Sequence, residues 1–132
     1  MGYYKTTIRK SDTIFSNYIR QKAGWRCEKC AKICRLDGVW LSKLEASHYF
    51  GRGHENTRFD TENVYSLCFN CHKRMGGYQK NEQGEYDLWV KGLLGEKRYY
   101  LLMLRSNQYK KRDDWVDCQY VKILLKELSD ER

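Results

Sequence analysis

Four cysteines set the chemistry open to this chain. Cys27-Glu28-Lys29-Cys30 and Cys68-Phe69-Asn70-Cys71 are two well-separated C-x2-C pairs. Such pairs can supply four thiolates to one tetrahedral zinc. With all four positions filled, that ion has none left for water or substrate, so it would be structural. The three histidines, His48, His54 and His72, lie inside or at the edge of the stretch between the pairs. Imidazole titrates near neutral pH and can take a proton from water without special tuning. Phosphodiester hydrolysis needs such a base, and also a cation to neutralise charge on the phosphate and the leaving oxygen. His48, just before Gly51 and Gly53, is the candidate base. His72, directly after the second pair, is the candidate ligand for a second divalent ion, Mg²⁺ or Mn²⁺. Against this, a lone histidine in a strand is most often structural. Cys34 and Cys118 are left over and read as small apolar residues.

The elements that must position these groups can be read in order. Residues 1–10 form a basic arm carrying Lys5, Arg9 and Lys10. A helix over 11–26 follows, capped by Ser11 or Asp12 and stopped near Gly24, with Ile14, Phe15, Tyr18 and Ile19 on its buried stripe. The zinc-clamped core spans 27–77. Within it Asp37-Gly38 marks a turn, and Val39-Trp40-Leu41 and Leu44–Tyr49 are strand candidates. A polar loop leads to Glu62, then Val64–Leu67 is a strand and a short helix starts near Cys68 and stops near Gly76-Gly77. A turn-like hinge over 78–84 precedes helices at 85–94, 95–107 and 113–130, broken at Gly92, Gly95 and Asn107. The last carries Cys118, Val121, Leu124, Leu125 and Leu128 on one face, to pack on the zinc half or to form a dimer. The expected class is α+β, one domain over 1–132: a small zinc-stapled ββα finger, one helix before it and a mostly helical C-terminal part.

Charge narrows the partners. The chain is basic, with a formal net charge of +8, and residues 1–35 hold nine Lys/Arg against Asp12 and Glu28. A polyanion suits this excess, nucleic acid first and an anionic membrane surface second. No apolar run approaches a transmembrane length, and the first residues do not lead into a signal peptide. Cytoplasmic residence is therefore expected, where paired cysteines bind metal rather than form disulfides.

A histidine ending one strand, an asparagine opening the next, and Cys-x2-Cys-His at the helix resemble the HNH endonucleases, whose fold is the ββα-metal finger. The resemblance implies His48 as general base, Asn63 as the residue tying the loop to the strand that bears the base, and His72 as the metal-binding last histidine. Four-cysteine members such as phage T4 endonuclease VII resolve branched DNA. A closer likeness is to the phage NinG (Rap) recombination nucleases. It lies in Ile19-Arg20, Ala46-Ser47-His48-Tyr49, Arg52-Gly53, Arg58-Phe59-Asp60 leading to Asn63, Cys68-x2-Cys71, and Tyr86 through Leu94. That family is associated with nicking of Holliday junctions and D-loops, which implies branched DNA as partner. Cutting two strands symmetrically would favour a homodimer.

Many HNH enzymes carry Asp or His just before the base; this chain has Ser47, a poor ligand for a hard cation. The second ligand then comes from Glu45, His54 or Asp60, or metal binding is weak, or the site has kept DNA binding without cleavage. Arg52 and Arg58 are candidate phosphate clamps, with Lys73, Arg74 and Arg20 as further DNA contacts. Tyr3, Tyr4, Tyr49 and Tyr78 could stack on unpaired bases, although most tyrosines of a small domain pack in the core.

Overall fold

The computed structural model describes residues 7–75 and 83–131. The expected stop at Gly76-Gly77, most of the hinge at 78–84, the arm residues Tyr3, Tyr4 and Lys5, and Tyr78 lie outside them. Among the described residues, four helices and two small antiparallel sheets make an α+β fold.

Helix α1 covers Lys10–Lys22. It starts a residue earlier than the sequence suggests. Arg9 takes the extended cap position, and Asp12 sits in the first turn and accepts from the Arg9 backbone N–H at 2.8 Å. Asp12 is thus a first-turn carboxylate rather than the cap. Gly24, at φ +67°, ends the helix in the left-handed conformation that glycine adopts most easily.

Strands β1 (Arg35–Leu36) and β2 (Val39–Trp40) form a short hairpin. Asp37 and Gly38 both have positive φ, the geometry of the tight hairpin turn that this dipeptide favours. Strand β3 (Leu44–His48) pairs antiparallel with β4 (Val64–Cys68), Leu44 opposite Cys68 and His48 opposite Val64. A single turn of 3-10 helix, Glu55–Thr57, lies in the loop between them. Helix α2 (Phe69–Met75) follows β4 directly.

Helix α3 runs Gln83–Ser106 with a break at Gly95, whose φ of 78° and ψ of 164° are not helical. The two expected helices are therefore two arms meeting at one glycine. Helix α4 (Asp114–Asp130) is capped by Asp113, whose carboxylate accepts from the Val116 N–H.

The β3–β4 sheet has a core on each face. Val64 and Ala46 pack with Phe15, Tyr18 and Ile19 of α1, with Phe59, and with Val121 of α4. Tyr65 and Leu67 face the other way, onto Met75 of α2 and Tyr86, Val90 and Leu102 of α3. Leu124, Leu125 and Leu128 of α4 pack against the α1 side. The apolar stripe of the last helix is thus core, packed on α1.

Candidate metal centre and histidine cleft

The four cysteines of the two pairs converge. Their sulfurs all lie within 4.8 Å of one another. Cys30 Sγ and Cys68 Sγ are 3.8 Å apart. A tetrahedron with zinc–sulfur arms of about 2.3 Å has edges of about 3.8 Å, so the spacing fits one such ion. Local backbone sets the cage. Ala31 turns the chain at φ 65°, and its N–H donates to the Cys27 carbonyl at 2.9 Å. Cys30 N–H points at Cys27 Sγ and Cys71 N–H at Cys68 Sγ, both at 3.5 Å. Burial works to raise the Cys27 thiol, but the backbone of Cys30, Cys68 and Lys29 holds it down at about 7. Burial and the neighbouring thiols push Cys71 up. One metal ion such as zinc would replace four protons that the site holds unequally. Cys34 and Cys118 are buried elsewhere and outside the cluster.

His48 ends β3 on the face that looks toward α1. Its Nε2 lies 2.9 Å from the Arg58 carbonyl oxygen. A carbonyl only accepts, so the ring proton sits on Nε2 and the Nδ1 lone pair is left to act as a base. Burial above all, with the nearby Arg52 charge, lowers the ring's pKa to about 4, against opposing pulls from the Arg58 carbonyl and Asp12. The imidazole is therefore neutral across the physiological range. It opens on a cleft of about 220 Å³ shared with Asp12, Ser16, Arg20 and Arg52.

Asn63 shapes the loop that presents the Arg58 carbonyl. It is fully buried. Its side-chain oxygen accepts from the Phe50 N–H at 2.8 Å, and its amide donates to the carbonyls of Phe50 at 2.9 Å and Thr57 at 3.0 Å. Both ends of the loop are held by one carboxamide.

His72 is placed elsewhere. Its Nδ1 donates to Glu45 Oε2 at 2.6 Å. Glu45 and His48 are three residues apart on one strand, so they point to opposite faces. His48 and His72 therefore do not share a face of the sheet, against the expectation of one common cleft. Ser47, on the Glu45 face, is buried, and its hydroxyl is 2.9 Å from the Tyr86 hydroxyl. Of the alternative ligands, only Glu45 adjoins His72. His54 lies beside the Ser106 carbonyl and Asp60 is paired with Arg105 at 2.8 Å.

The basic residues divide. Arg58 is not a phosphate clamp. It is 0% exposed, with Nε and Nη2 on the two oxygens of Asp12 and further bonds to the Thr7 and Arg52 carbonyls. A loop arginine reads as a phosphate contact in sequence because its partner is far off in the chain. Asp12 itself reads as a helix cap, and nothing in its spacing signals Arg58. Arg20 and Arg52 line the His48 cleft. Lys73 and Arg74 lie exposed on α2, Arg74 paired with Glu85 at 3.1 Å. Tyr49 is packed among Phe50, Tyr86 and Tyr99 and is not free to stack on a base.

No family model, curated protein or solved structure matches the chain.

Proposed function

We propose that this chain is a metal-dependent DNA endonuclease of the HNH kind, acting on branched or recombination-intermediate DNA. The observation that carries the proposal is the His48 ring: neutral, its proton fixed on Nε2 by the Arg58 carbonyl, and lining a cleft with two arginines. In this reading Nδ1 takes a proton from a water as its oxygen attacks phosphorus and the P–O bond to the leaving sugar breaks. Arg20 and Arg52 hold the phosphate oxygens. Asn63 and Arg58 position the loop and through it the ring. Helped by the order strand, loop, strand, helix, with cysteines at both ends, the chain would use its zinc as a staple and the His48 cleft for chemistry.

The HNH resemblance implies a second ion, Mg²⁺ or Mn²⁺, which would neutralise charge on the leaving oxygen when bound. Glu45 and His72 are the residues that would hold it. They lie across the sheet from His48. β3 is an edge strand of its two-stranded sheet, so a phosphate resting on that edge would meet groups from both faces. A cytoplasmic setting in a phage-infected bacterium, and a homodimer on a two-fold junction, belong to the same proposal.

The test is incubation of the protein with linear, single-stranded, flapped and four-way DNA in Mg²⁺ or Mn²⁺. Nicking should be strongest on branched substrates. His48→Ala should lower it by at least about a hundredfold, the share a positioned base contributes, with DNA affinity retained. Equal nicking by wild type and variant would reject His48 as the base.

A second reading has one specific observation behind it. The residue before His48 is a serine whose hydroxyl is engaged by Tyr86, so it offers no carboxylate to a hard cation. On that reading the chain is a non-catalytic zinc module that binds DNA. Salt-sensitive binding without cleavage in either ion would favour it.

A further inference from the structure

The β1–β2 hairpin carries an aromatic and cationic surface that the His48 chemistry does not use. Trp25 and Trp40 meet edge to face, with ring centroids 5.5 Å apart. The Arg35 guanidinium lies 4.5 Å from the Trp25 ring centre and 5.2 Å from that of Trp40. Arg20 lies 5.9 Å from the first and 5.7 Å from the second. Two like charges are thus gathered on two indoles. Among the described residues neither guanidinium has a carboxylate within ion-pair distance; Arg20 gives three of its five N–H groups to the Ser16 and Leu44 carbonyls and to Asn17. The buried Nε of Arg35 has no hydrogen-bond partner. The hairpin's own carboxylate, Asp37, is at the tip, in the turn.

This surface faces solvent. Trp40 is 48% exposed, with Val39 and Leu41 exposed beside it. A protein core has no need of an indole left half in water between uncompensated cations. Continuity with the site decides what the surface would take. Arg20 belongs to both places: it lines the His48 cleft and it lies against Trp40.

We infer that the Trp40 surface is a subsite for an unpaired nucleotide of DNA, its base stacked on the indole and its phosphate drawn by Arg20 and Arg35, next to the phosphate held at His48. This rests on the proposal that DNA is the partner. A π-face rewards a base only when that base is free of its duplex, whereas the two cations attract any strand. The subsite thus selects strands with unpaired bases, such as those at a branch point.

Two substitutions separate stacking from packing. Trp40→Leu keeps an apolar side chain and removes the π-face; Trp40→Phe keeps a π-face. Binding is read by fluorescence anisotropy in EDTA-free buffer without Mg²⁺ or Mn²⁺, using oligo-dT and a fully paired duplex of equal length. W40L should weaken oligo-dT binding by roughly tenfold, in line with the loss of one stacked base, and change duplex binding less than twofold. W40F should recover most of the loss. Unchanged oligo-dT binding by W40L, or equal losses on both DNAs, overturns the subsite while leaving DNA as the partner. A wild-type protein that binds neither DNA overturns both.

Discussion

At the scale of single residues, His48 shows how burial keeps an imidazole neutral while one hydrogen bond fixes its tautomer. An exposed imidazole has a pKa near 6.5, whereas this one is lowered to about 4. Its unfolded form takes up a proton as the pH falls through 6.5, and its folded form resists until about 4. Between those values the unfolded state binds the extra proton, so this residue makes the fold less stable as the pH drops through that window. Above it both states are neutral and the residue adds no pH dependence. Urea midpoints of the wild type and His48→Gln, compared at pH 7.5 and at pH 4.5, check this. The wild type should lose more stability than the variant on acidification. Parallel losses would mean that His48 titrates alike in both states. Asn63 works differently, since its amide is not titratable and serves through its hydrogen bonds to Phe50 and Thr57. An aspartate in its place would bring a charge against the Phe50 and Thr57 carbonyls, where the amide now donates.

Elements were legible in the sequence where the signal was local. The Asp37-Gly38 turn, the short strand before the Gly51 and Gly53 break and the stripe of α4 all depend on neighbours within a few residues. What was not legible depends on pairs far apart. Arg58 reads as a surface arginine until α1 brings Asp12 across 46 residues to meet it. Asp12 itself sits in the first turn because Arg9 takes the cap position. The opposite facing of His48 and His72 follows from strand parity, but only once Glu45 is known to be the partner of His72. The cysteine pairs are the exception, long-range contacts announced by a spacing that has few other uses. The Arg58–Asp12 bond joins α1 to the loop behind His48, and its energetics can be measured. Removing one partner of a buried ion pair leaves the other uncompensated and costs about 3–5 kcal/mol. Arg58→Met and Asp12→Asn should each destabilise on that scale in urea, and the double variant by clearly less than the sum. Additive losses would show that the two groups do not depend on each other. Asp12 also holds the Arg9 N–H, so its substitution should carry a small extra cost at the helix start.

For the molecule as a whole, β4 is where the two halves depend on one another. Its residues alternate between the cores, Val64 toward α1 and α4, Tyr65 and Leu67 toward α2 and α3, and it ends on Cys68 of the four-cysteine cluster. Cys27, Cys68 and Cys71 are themselves part of the second core. Without an ion, four thiols would crowd within one cage, and the 27–30 knuckle would be tied to β4, among the described residues, only by the Glu28–Ser66 and Arg26–Ser66 hydrogen bonds. Loss of the ion would also loosen the strand that β3, and so His48, pairs with. The stabilisation at stake is large: structural zinc sites in small domains contribute on the order of 10–16 kcal/mol of apparent binding free energy, comparable to the whole stability of a domain. Protein expressed in zinc-supplemented medium should therefore carry one ion per chain by elemental analysis. Strong chelation should abolish cooperative thermal unfolding rather than merely lower its midpoint, and Cys71→Ser should behave as the chelated protein does. Hydrogen exchange should then quicken along Val64–Cys68 and also in α1, because one strand serves both cores. If exchange quickened only around the cysteines, the ion would be a local clip and not the staple of the fold. An unchanged melt after proven metal removal would show that the apolar cores hold the fold by themselves.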